Sequence, residues 1–139
     1  MCIRDRLTRG VIAEPGGWYR SGDLGSLDDE GWLRVSGRLS DIIIRAGENI
    51  SASEVEAVLE AHPSVSHAVA VPVPDPQVGE RVAAIVVTTG PFDLEACRAW
   101  FAERGITRFK TPELVVGLDS LPTLPAGKPD RAEMCIRDR

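Results

Sequence analysis

The sequence predicts an α+β fold, a small mixed sheet with two to three helices preceded by a β-hairpin. Three observations support this class. Apolar residues recur at helical spacing after Ser53 and after Asp93, and β-branched runs separate those two windows. Two strand-like runs near the start flank a turn-forming cluster at residues 28–31. The order after the hairpin is strand, helix, strand, strand, helix, strand, which is typical of helices packed on a mixed sheet.

The predicted hairpin pairs residues 18–27 with residues 31–37 around Asp-Asp-Glu-Gly. Gly22 and Asp23 interrupt the first strand-like run. An acidic side chain beside a glycine is typical either of close approach to a ligand or of a bulge or edge charge. The local sequence leaves both interpretations open.

The segment 37–56 organises the rest of the chain. Residues 42–44 are three isoleucines between polar residues, which predicts a short strand buried on both faces. Gly47 then permits a tight turn in a loop that leads to the first helix. Arg38 and Asp41 stand directly before the strand, and unpaired charges are costly to bury. These two charges are the first indication of a site.

The first helix is predicted over residues 53–61. Ser51 and Ser53 are each followed three residues later by a glutamate, which gives two overlapping capping boxes. The apolar positions share one face, and the glutamates are interpreted as a solvated face. The apolar residues are Val55, Val58 and Leu59, and the glutamates are Glu54, Glu56 and Glu60.

The second half predicts three more strands and one helix. Residues 65–73 alternate, and residues 81–88 are nearly continuous Val, Ala and Ile, so the second of these strands is expected to be central. Residues 74–80 are Pro- and Gly-containing and predict a loop. Asp93 caps the second helix, which ends at Gly105 and carries a core Cys97. Residues 113–118 predict the last strand.

Residues 121–131 contain three prolines and no periodicity, and they predict a long structured loop. Among 16 basic residues only Lys110 and Lys128 are lysines, and both lie in Pro-containing loops. A lysine ammonium is a compact charge on a flexible stem, suited to a phosphate or a developing oxyanion. The alternative interpretation is a solvated loop lysine.

The chain begins and ends with the same hexapeptide, Met-Cys-Ile-Arg-Asp-Arg, at residues 1–6 and 134–139. We interpret both copies as a translated adapter or cloning scar. Without them the formal charge goes from −5 to −7, because each copy carries two arginines and one aspartate. This acidic balance argues against nucleic acid as a partner, and no apolar run is long enough to span a membrane. Cys97 is then the sole cysteine, which favours a reducing, cytoplasmic location.

Three motifs in order resemble the C-terminal motifs of the adenylate-forming (ANL) superfamily, which includes acyl- and aryl-CoA synthetases, luciferases and peptide-synthetase adenylation domains. They are Tyr-Arg-Ser-Gly-Asp at 19–23, the segment 37–56, and Leu-Pro through Gly-Lys to Arg at 121–131. The resemblance covers residues 18–131 and is greatest to fatty-acid or alicyclic acyl-CoA synthetases of the AMP-forming type. It implies a ligase that converts a carboxylic acid and ATP to an acyl-adenylate and then transfers the acyl group to CoA.

The resemblance also implies roles for individual residues. Asp23 would accept hydrogen bonds from the ribose hydroxyls of ATP, and Arg38 would hold the ribose or phosphate region. Lys128 would be the catalytic residue that stabilises charge as the acyl-adenylate forms. Gly47 and Glu48 would line the passage of the CoA pantetheine arm. Ser40 occupies the position of the hinge, where relatives usually have Asp or Lys.

By the same resemblance, residues 7–39 are the tail of an N-terminal adenylation domain and residues 40–133 are the mobile C-terminal domain. The N-terminal domain would be a partner that supplies the acyl pocket and the ligand of Mg²⁺, and no metal ligand is expected in this chain. The fragment is expected to be inactive alone. Two alternatives remain: an adenylation domain that loads a carrier protein, and a stand-alone, non-catalytic α+β interaction module.

Overall fold

A computed structural model describes residues 21–131 and residue 134. The chain divides into two compact units, residues 1–40 and residues 41–139. Within the described residues, the first unit is a β-hairpin and the second is a mixed sheet with two α-helices, so the predicted α+β class is confirmed.

The hairpin consists of β1 (Asp23–Leu27) and β2 (Leu33–Arg38), which pair antiparallel with a bulge after Leu24. Asp28 forms its turn because one carboxylate oxygen accepts the backbone N–H groups of Glu30 and Trp32, at 3.1 and 2.8 Å. Gly31 follows at φ +87°, a conformation that favours glycine. The strands begin later than the sequence predicted, and residues 18–20 lie outside the described part of the chain.

The second unit contains five strands, two α-helices and a short 3₁₀ turn among its described residues. β6 is central, with β5 along one edge and both β3 and β7 along the other; β4 pairs with the far side of β3. β7 runs parallel to β6, and the other pairs are antiparallel. The bounds are β3 (Ile42–Arg45), β4 (Glu48–Ser51), α1 (Ala52–Glu60), β5 (Val65–Asp75), β6 (Gly79–Thr88), α2 (Leu94–Glu103), the 3₁₀ turn Arg108–Lys110 and β7 (Leu114–Gly117). A further 3₁₀ turn, Leu39–Asp41, lies where the two units join.

The main core lies between the two helices and one face of the sheet. Val55 and Leu59 of α1 and Cys97 and Phe101 of α2 are buried against strand residues such as Val82. Asp93 caps α2 by accepting the N–H of Ala96 at 2.8 Å, as predicted. Helical spacing therefore identified the buried faces of both helices.

A smaller apolar cluster covers the opposite face of the sheet. It consists of Val69, Val71, Ala83, Ile85 and Met134, with Leu118 and Leu121 packed against it. β6 is therefore buried on both faces, which confirms its predicted central place. Met134 belongs to the second copy of the terminal hexapeptide, and it fills an apolar position on this face.

Three local predictions for residues 42–51 were wrong. Residues 48–51 form a strand, not a loop, because they pair with β3 across a tight turn. Ile43 is buried but Ile44 is 53% exposed, so β3 is buried on one face only. Ser51 occupies the N-cap position of α1, yet its hydroxyl bonds the hydroxyl of Ser53 at 2.8 Å and caps no backbone group.

The glutamates of α1 are not a simply solvated face. Glu60 accepts the N–H of Ala68 at 3.2 Å, and Glu56 accepts the N–H of Ala70 at 2.8 Å. Both amides lie on the free edge of β5. The next two residues of that alternation are Pro72 and Pro74, which have no N–H, so the edge is closed to further strand pairing.

The region predicted as a loop at 74–80 is a short hairpin connection, since β5 extends to Asp75 and β6 begins at Gly79. Asp75 accepts the N–H groups of Gln77 and Val78 at 2.9 and 3.0 Å. These bonds lower the pKa of Asp75. No helix within the described residues is long and apolar enough to cross a membrane.

Candidate active site

Asp23 and Arg38 are paired in the hairpin. They are register partners at the open end of β1 and β2, and the Arg38 Nε donates to Asp23 Oδ1 at 2.9 Å. One third of the Asp23 side chain remains exposed. The sequence predicted a role for each residue, and the structure brings the two together with carboxylate oxygen still accessible.

Ser40 is the last residue of the first unit, and it is exposed within the 3₁₀ turn Leu39–Asp41. The division of the chain into compact units therefore falls between Ser40 and Asp41. The role of Ser40 as a hinge stays a prediction.

Gly47 and Glu48 belong to the tight turn between β3 and β4. Ala46 has φ +51° and Gly47 has φ +85°, the pattern of a type I′ hairpin turn. A Cβ placed on Gly47 would meet no atom within 4 Å, so the turn faces open space. Glu48 is exposed beside it.

The connection at residues 75–80 is hydrogen-bonded to this turn and to the strand before it. The Ala46 N–H donates to the Val78 carbonyl at 2.7 Å, and the Ile44 N–H donates to Glu80 Oε2 at 2.7 Å. Two backbone groups at the end of β3 are thereby fixed to the neighbouring hairpin. No sequence pattern indicated this support, because it depends on the approach of segments more than 30 residues apart.

An open cavity of about 790 Å³ lies beside β3, α2 and the Arg108–Lys110 turn. Three arginines line it, Arg45, Arg98 and Arg108, together with the aromatic residue Phe109. Arg45 is paired with Glu113, whose pKa it lowers chiefly by hydrogen bonding. The remaining lining is apolar or neutral: Ala102, Ile106, Thr111 and Pro112. Sequence reasoning missed this site because its arginines come from separate elements.

Lys128 lies on a closed loop that we call the Lys128 hairpin, residues 121–131. Thr123 and Pro129 form a β-bridge, and the Leu124 N–H donates to the Lys128 carbonyl at 2.8 Å. Gly127 closes the turn at φ +78°, and its N–H donates to the Leu124 carbonyl at 2.8 Å. The predicted structured loop is confirmed, with Lys128 exposed near its tip.

The two lysines differ in their surroundings. Lys110 contacts both carboxylate oxygens of Glu54, at 2.7 and 2.9 Å, and so joins the 3₁₀ turn to α1. Lys128 has no ion-pair partner among the residues that the structure describes. Of the two, Lys128 is therefore the one available to a ligand.

No group of three or more His, Cys, Asp or Glu side chains gathers for a metal within residues 21–131. Arg131, at the base of the Lys128 hairpin, has ion pairs with Asp41 and Glu56. The sequence included Arg131 in a motif but gave no partner for it.

Comparison with known proteins identifies the class to which these features belong. The sequence model for the AMP-binding enzyme C-terminal domain matches residues 54–128, more than half of the chain. The chain belongs to this family.

Individual relatives agree with that assignment. The chain is 43% identical over 119 residues to a salicyl-AMP ligase / salicyl-S-ArCP synthetase of Mycobacterium tuberculosis, covering 85% of this chain and 21% of the relative. It is 42% identical over 115 residues to the medium-chain fatty-acid–CoA ligase of Escherichia coli, covering 81% and 20%. Among solved structures, the o-succinylbenzoate CoA synthetase of Bacillus subtilis superposes with a TM-score of 0.80 at 37% identity, covering 88% and 25%. The chain thus spans about a fifth to a quarter of the length of these relatives.

Proposed function

We propose that this chain is the C-terminal part of an AMP-forming acyl-CoA synthetase. In the first half-reaction a carboxylate oxygen attacks the α-phosphorus of ATP, and pyrophosphate leaves. In the second, the thiol of CoA attacks the acyl carbon, and AMP leaves. The rest of the enzyme, including the acyl pocket and the ligand of Mg²⁺, is expected outside this chain.

The observation that carries the proposal is the contrast between the two lysines. Lys110 is neutralised by Glu54, whereas Lys128 stands exposed on a hydrogen-bonded hairpin with no ion pair among the described residues. A cation held on a rigid support can stabilise negative charge that develops as the acyl-adenylate forms. Lys128 is therefore our catalytic residue for adenylation.

The nucleotide would be held by Asp23 with Arg38. The Asp23 carboxylate has two acceptor oxygens, and Arg38 occupies Oδ1. Its remaining acceptor positions suit the ribose hydroxyls, while the half-exposed Arg38 retains donors for a phosphate.

The β1–β2 hairpin exposes an apolar surface, and this favours its assignment to the tail of the larger domain. Leu27, Trp32, Leu33, Val35 and Leu39 are each more than 60% exposed. A two-stranded hairpin is marginally stable by itself, and an apolar patch of this kind marks an interaction surface. We propose that residues 7–39 pack on the N-terminal adenylation domain and that residues 40–133 move about Ser40.

CoA would enter past the Gly47 turn. Gly47 leaves open space where a side chain would project. Arg45, directly before the same turn, is one of the residues that line the cavity. Arg98 and Arg108 are suited to phosphate groups, and Phe109 to an aromatic base. This cavity supports CoA as the acceptor. The buried Cys97 is consistent with a cytoplasmic location.

The first experiment compares Lys128→Ala with Lys110→Ala in a complete enzyme. A suitable host is the E. coli medium-chain fatty-acid–CoA ligase with its matching C-terminal fifth replaced by this chain. We expect Lys128→Ala to cost about 3 kcal/mol, or 10²- to 10³-fold, in pyrophosphate release. Transfer from preformed acyl-adenylate to CoA should change much less, and Lys110→Ala should leave both half-reactions near the parent rate. Equal losses in both half-reactions for Lys128→Ala would contradict the assignment.

A second experiment tests the passage. Gly47→Leu should spare acyl-adenylate formation and block transfer to CoA. Gly31→Leu is the matched control, because Gly31 also has positive φ, at +87°, and open space around its Cβ position. It therefore imposes similar backbone strain at a site away from the turn. Loss of transfer in both variants would mean that strain, not obstruction, is responsible.

A third experiment addresses the acceptor. Arg98→Gln with Arg108→Gln should raise the KM for CoA by about 10-fold, since two phosphate contacts are removed. The same variants should react normally with pantetheine, which has no nucleotide. An equal loss with pantetheine would remove the cavity from the proposal and leave a carrier protein as the rival acceptor.

The rival from another class is a non-catalytic interaction module with the same fold. Such a module has no physical need for Asp23, Arg38 and Lys128 together. Mixing this chain with a separately expressed N-terminal portion and measuring pyrophosphate release distinguishes the two. No release above that of the N-terminal portion alone would favour the module.

A further inference from the structure

Arg131 makes three contacts from the base of the Lys128 hairpin. Its Nη2 lies 2.8 Å from Glu56 Oε1 in α1, and its Nη1 donates to the carbonyl of Ala70 in β5 at 2.8 Å. Its Nε lies 3.8 Å from Asp41 Oδ2. One guanidinium thus joins the Lys128 hairpin to α1, to the edge of β5 and to Asp41, the first residue of the second unit.

These contacts are mutually dependent. Glu56 Oε1 accepts the Ala70 N–H at 2.8 Å as well as the Arg131 contact, and its side chain is only 15% exposed. Both backbone groups of Ala70 are therefore satisfied by one ion pair. A planar guanidinium presents donors in fixed directions to several acceptors at once, whereas a lysine ammonium is a compact point charge on a flexible stem.

Hydrogen bonds along the Lys128 hairpin connect Arg131 at its base to Lys128 near its tip. The Asp130 N–H donates to the Pro122 carbonyl at 2.8 Å, next to Arg131, and the Thr123–Pro129 bridge follows. The Leu124–Lys128 bond closes the tip. Because each step from Arg131 to Lys128 is hydrogen-bonded, the base of the hairpin determines where its tip projects.

We propose that Arg131 is a positioning residue for Lys128. It holds the hairpin against α1 and β5 so that the ammonium projects in a fixed direction from the second unit. This inference rests on the proposed function for its kinetic consequence, but the anchorage itself is a property of this chain. Asp41 and Glu56 serve as the acidic half of the anchor.

The anchorage is tested on the 139-residue chain by amide hydrogen exchange. In Arg131→Ala, the amides of Leu124, Gly127 and Asp130 should exchange roughly 10-fold faster or more, because the hairpin opens locally. Arg104→Ala is the control, since it removes another packed guanidinium, one that lies 3.0 Å from the centre of the Trp100 ring. The control should leave those three amides unchanged. Unchanged exchange in Arg131→Ala, or equal acceleration in the control, overturns the anchorage.

The kinetic consequence is tested in the chimeric ligase by a double-mutant cycle. Arg131→Ala should slow adenylation about 10- to 100-fold by misplacing the lysine, with little change in KM for ATP. In a Lys128→Ala background the same change should have almost no further effect. Added guanidinium ion should partly restore Arg131→Ala, and Arg131→Lys should remain slow. Additive losses would overturn a positioning role.

The two proposals fail differently. If Lys128→Ala leaves adenylation unchanged, the proposed function fails, while the exchange measurement still decides the anchorage. If Lys128→Ala is slow but Arg131→Ala is not, the positioning role fails and the proposed function stands.

Discussion

The Arg45 guanidinium and the Glu113 carboxylate form a bidentate pair, with Nε 3.1 Å from Oε2 and Nη2 3.0 Å from Oε1. Arg45 ends β3 and Glu113 precedes β7. Both strands lie along the same edge of β6, but β3 pairs with it only through Arg45 and Gly79. The ion pair therefore connects two strands that share an edge, and it forms one side of the arginine-lined cavity.

This pair predicts an acid-dependent loss of stability. Its hydrogen bonds lower the pKa of Glu113 in the folded protein. The stabilisation is therefore present above the unfolded pKa of about 4.3 and is lost as pH falls through the lower folded pKa. Glu113→Gln should lower the free energy of unfolding at pH 7 by about 0.5–1 kcal/mol, because the pair is partly exposed.

The check is urea unfolding of both proteins from pH 7 down to pH 3. The difference between them should shrink as the pH falls below about 4. A difference that stays constant over this range would contradict the assignment to the charged pair.

The Ala46 backbone predicts a stabilising substitution. Ala46 has φ +51°, a left-handed conformation that costs an L-residue about 1 kcal/mol, whereas glycine adopts it freely. Ala46→Gly should raise the free energy of unfolding by roughly 0.5 kcal/mol, after the entropy that glycine adds to the unfolded chain. Thermal unfolding measures the change. Gly105→Ala, which introduces the same strain, should shift the melting temperature in the opposite direction.

Periodicity predicted the fold class, the buried helix faces and the central strand because each depends on local repeats of apolar residues. It did not predict β4 or the bonds of Glu56 and Glu60. A glutamate on the polar face of a helix has the same sequence signal whether it faces water or the amide of an edge strand. The sequence also did not predict the left-handed conformation of Ala46, because glycine or asparagine normally occupies such positions in turns.

The candidate site also combines residues that local motifs identified with residues that only tertiary packing brings together. Asp23, Arg38, Gly47 and Lys128 could be selected because each stands in a recognisable motif. Arg98 and Arg108 could not, since they share a cavity only after α2 and the following 3₁₀ turn have packed. The motif distinguished Lys128 from Lys110, but residue type and loop context did not, and the ion pair of Lys110 with Glu54 is the structural difference between the two.

Glu56 predicts a contrast between two substitutions. Burial raises the pKa of Glu56 despite its bonds to Ala70 and Arg131. Its contribution to stability is therefore fully present below the unfolded pKa and is lost as pH rises through the folded pKa. Glu56→Gln keeps an acceptor oxygen without a charge, so its stability relative to the parent should improve between pH 4 and pH 7.

Glu56→Ala should behave differently. It removes the acceptor for the Ala70 N–H and one partner of Arg131, and it should cost about 1–3 kcal/mol at both pH values. Chemical unfolding of the three proteins provides the comparison. Equal destabilisation by Gln and Ala at pH 7 would show that the charge itself, and not the acceptor, stabilises the edge.

We expect the Cys97 thiol to react only when the protein opens. It is fully buried in the core beside Phe101, and burial raises its pKa to about 12. In a chain with Cys2→Ser and Cys135→Ser, Ellman's reagent at pH 8 should label Cys97 at the rate of a free thiol multiplied by the open fraction. Urea below the unfolding transition should therefore raise the logarithm of the labelling rate linearly. Fast labelling that does not depend on urea would show that the face of α2 carrying Cys97 is accessible in the folded protein.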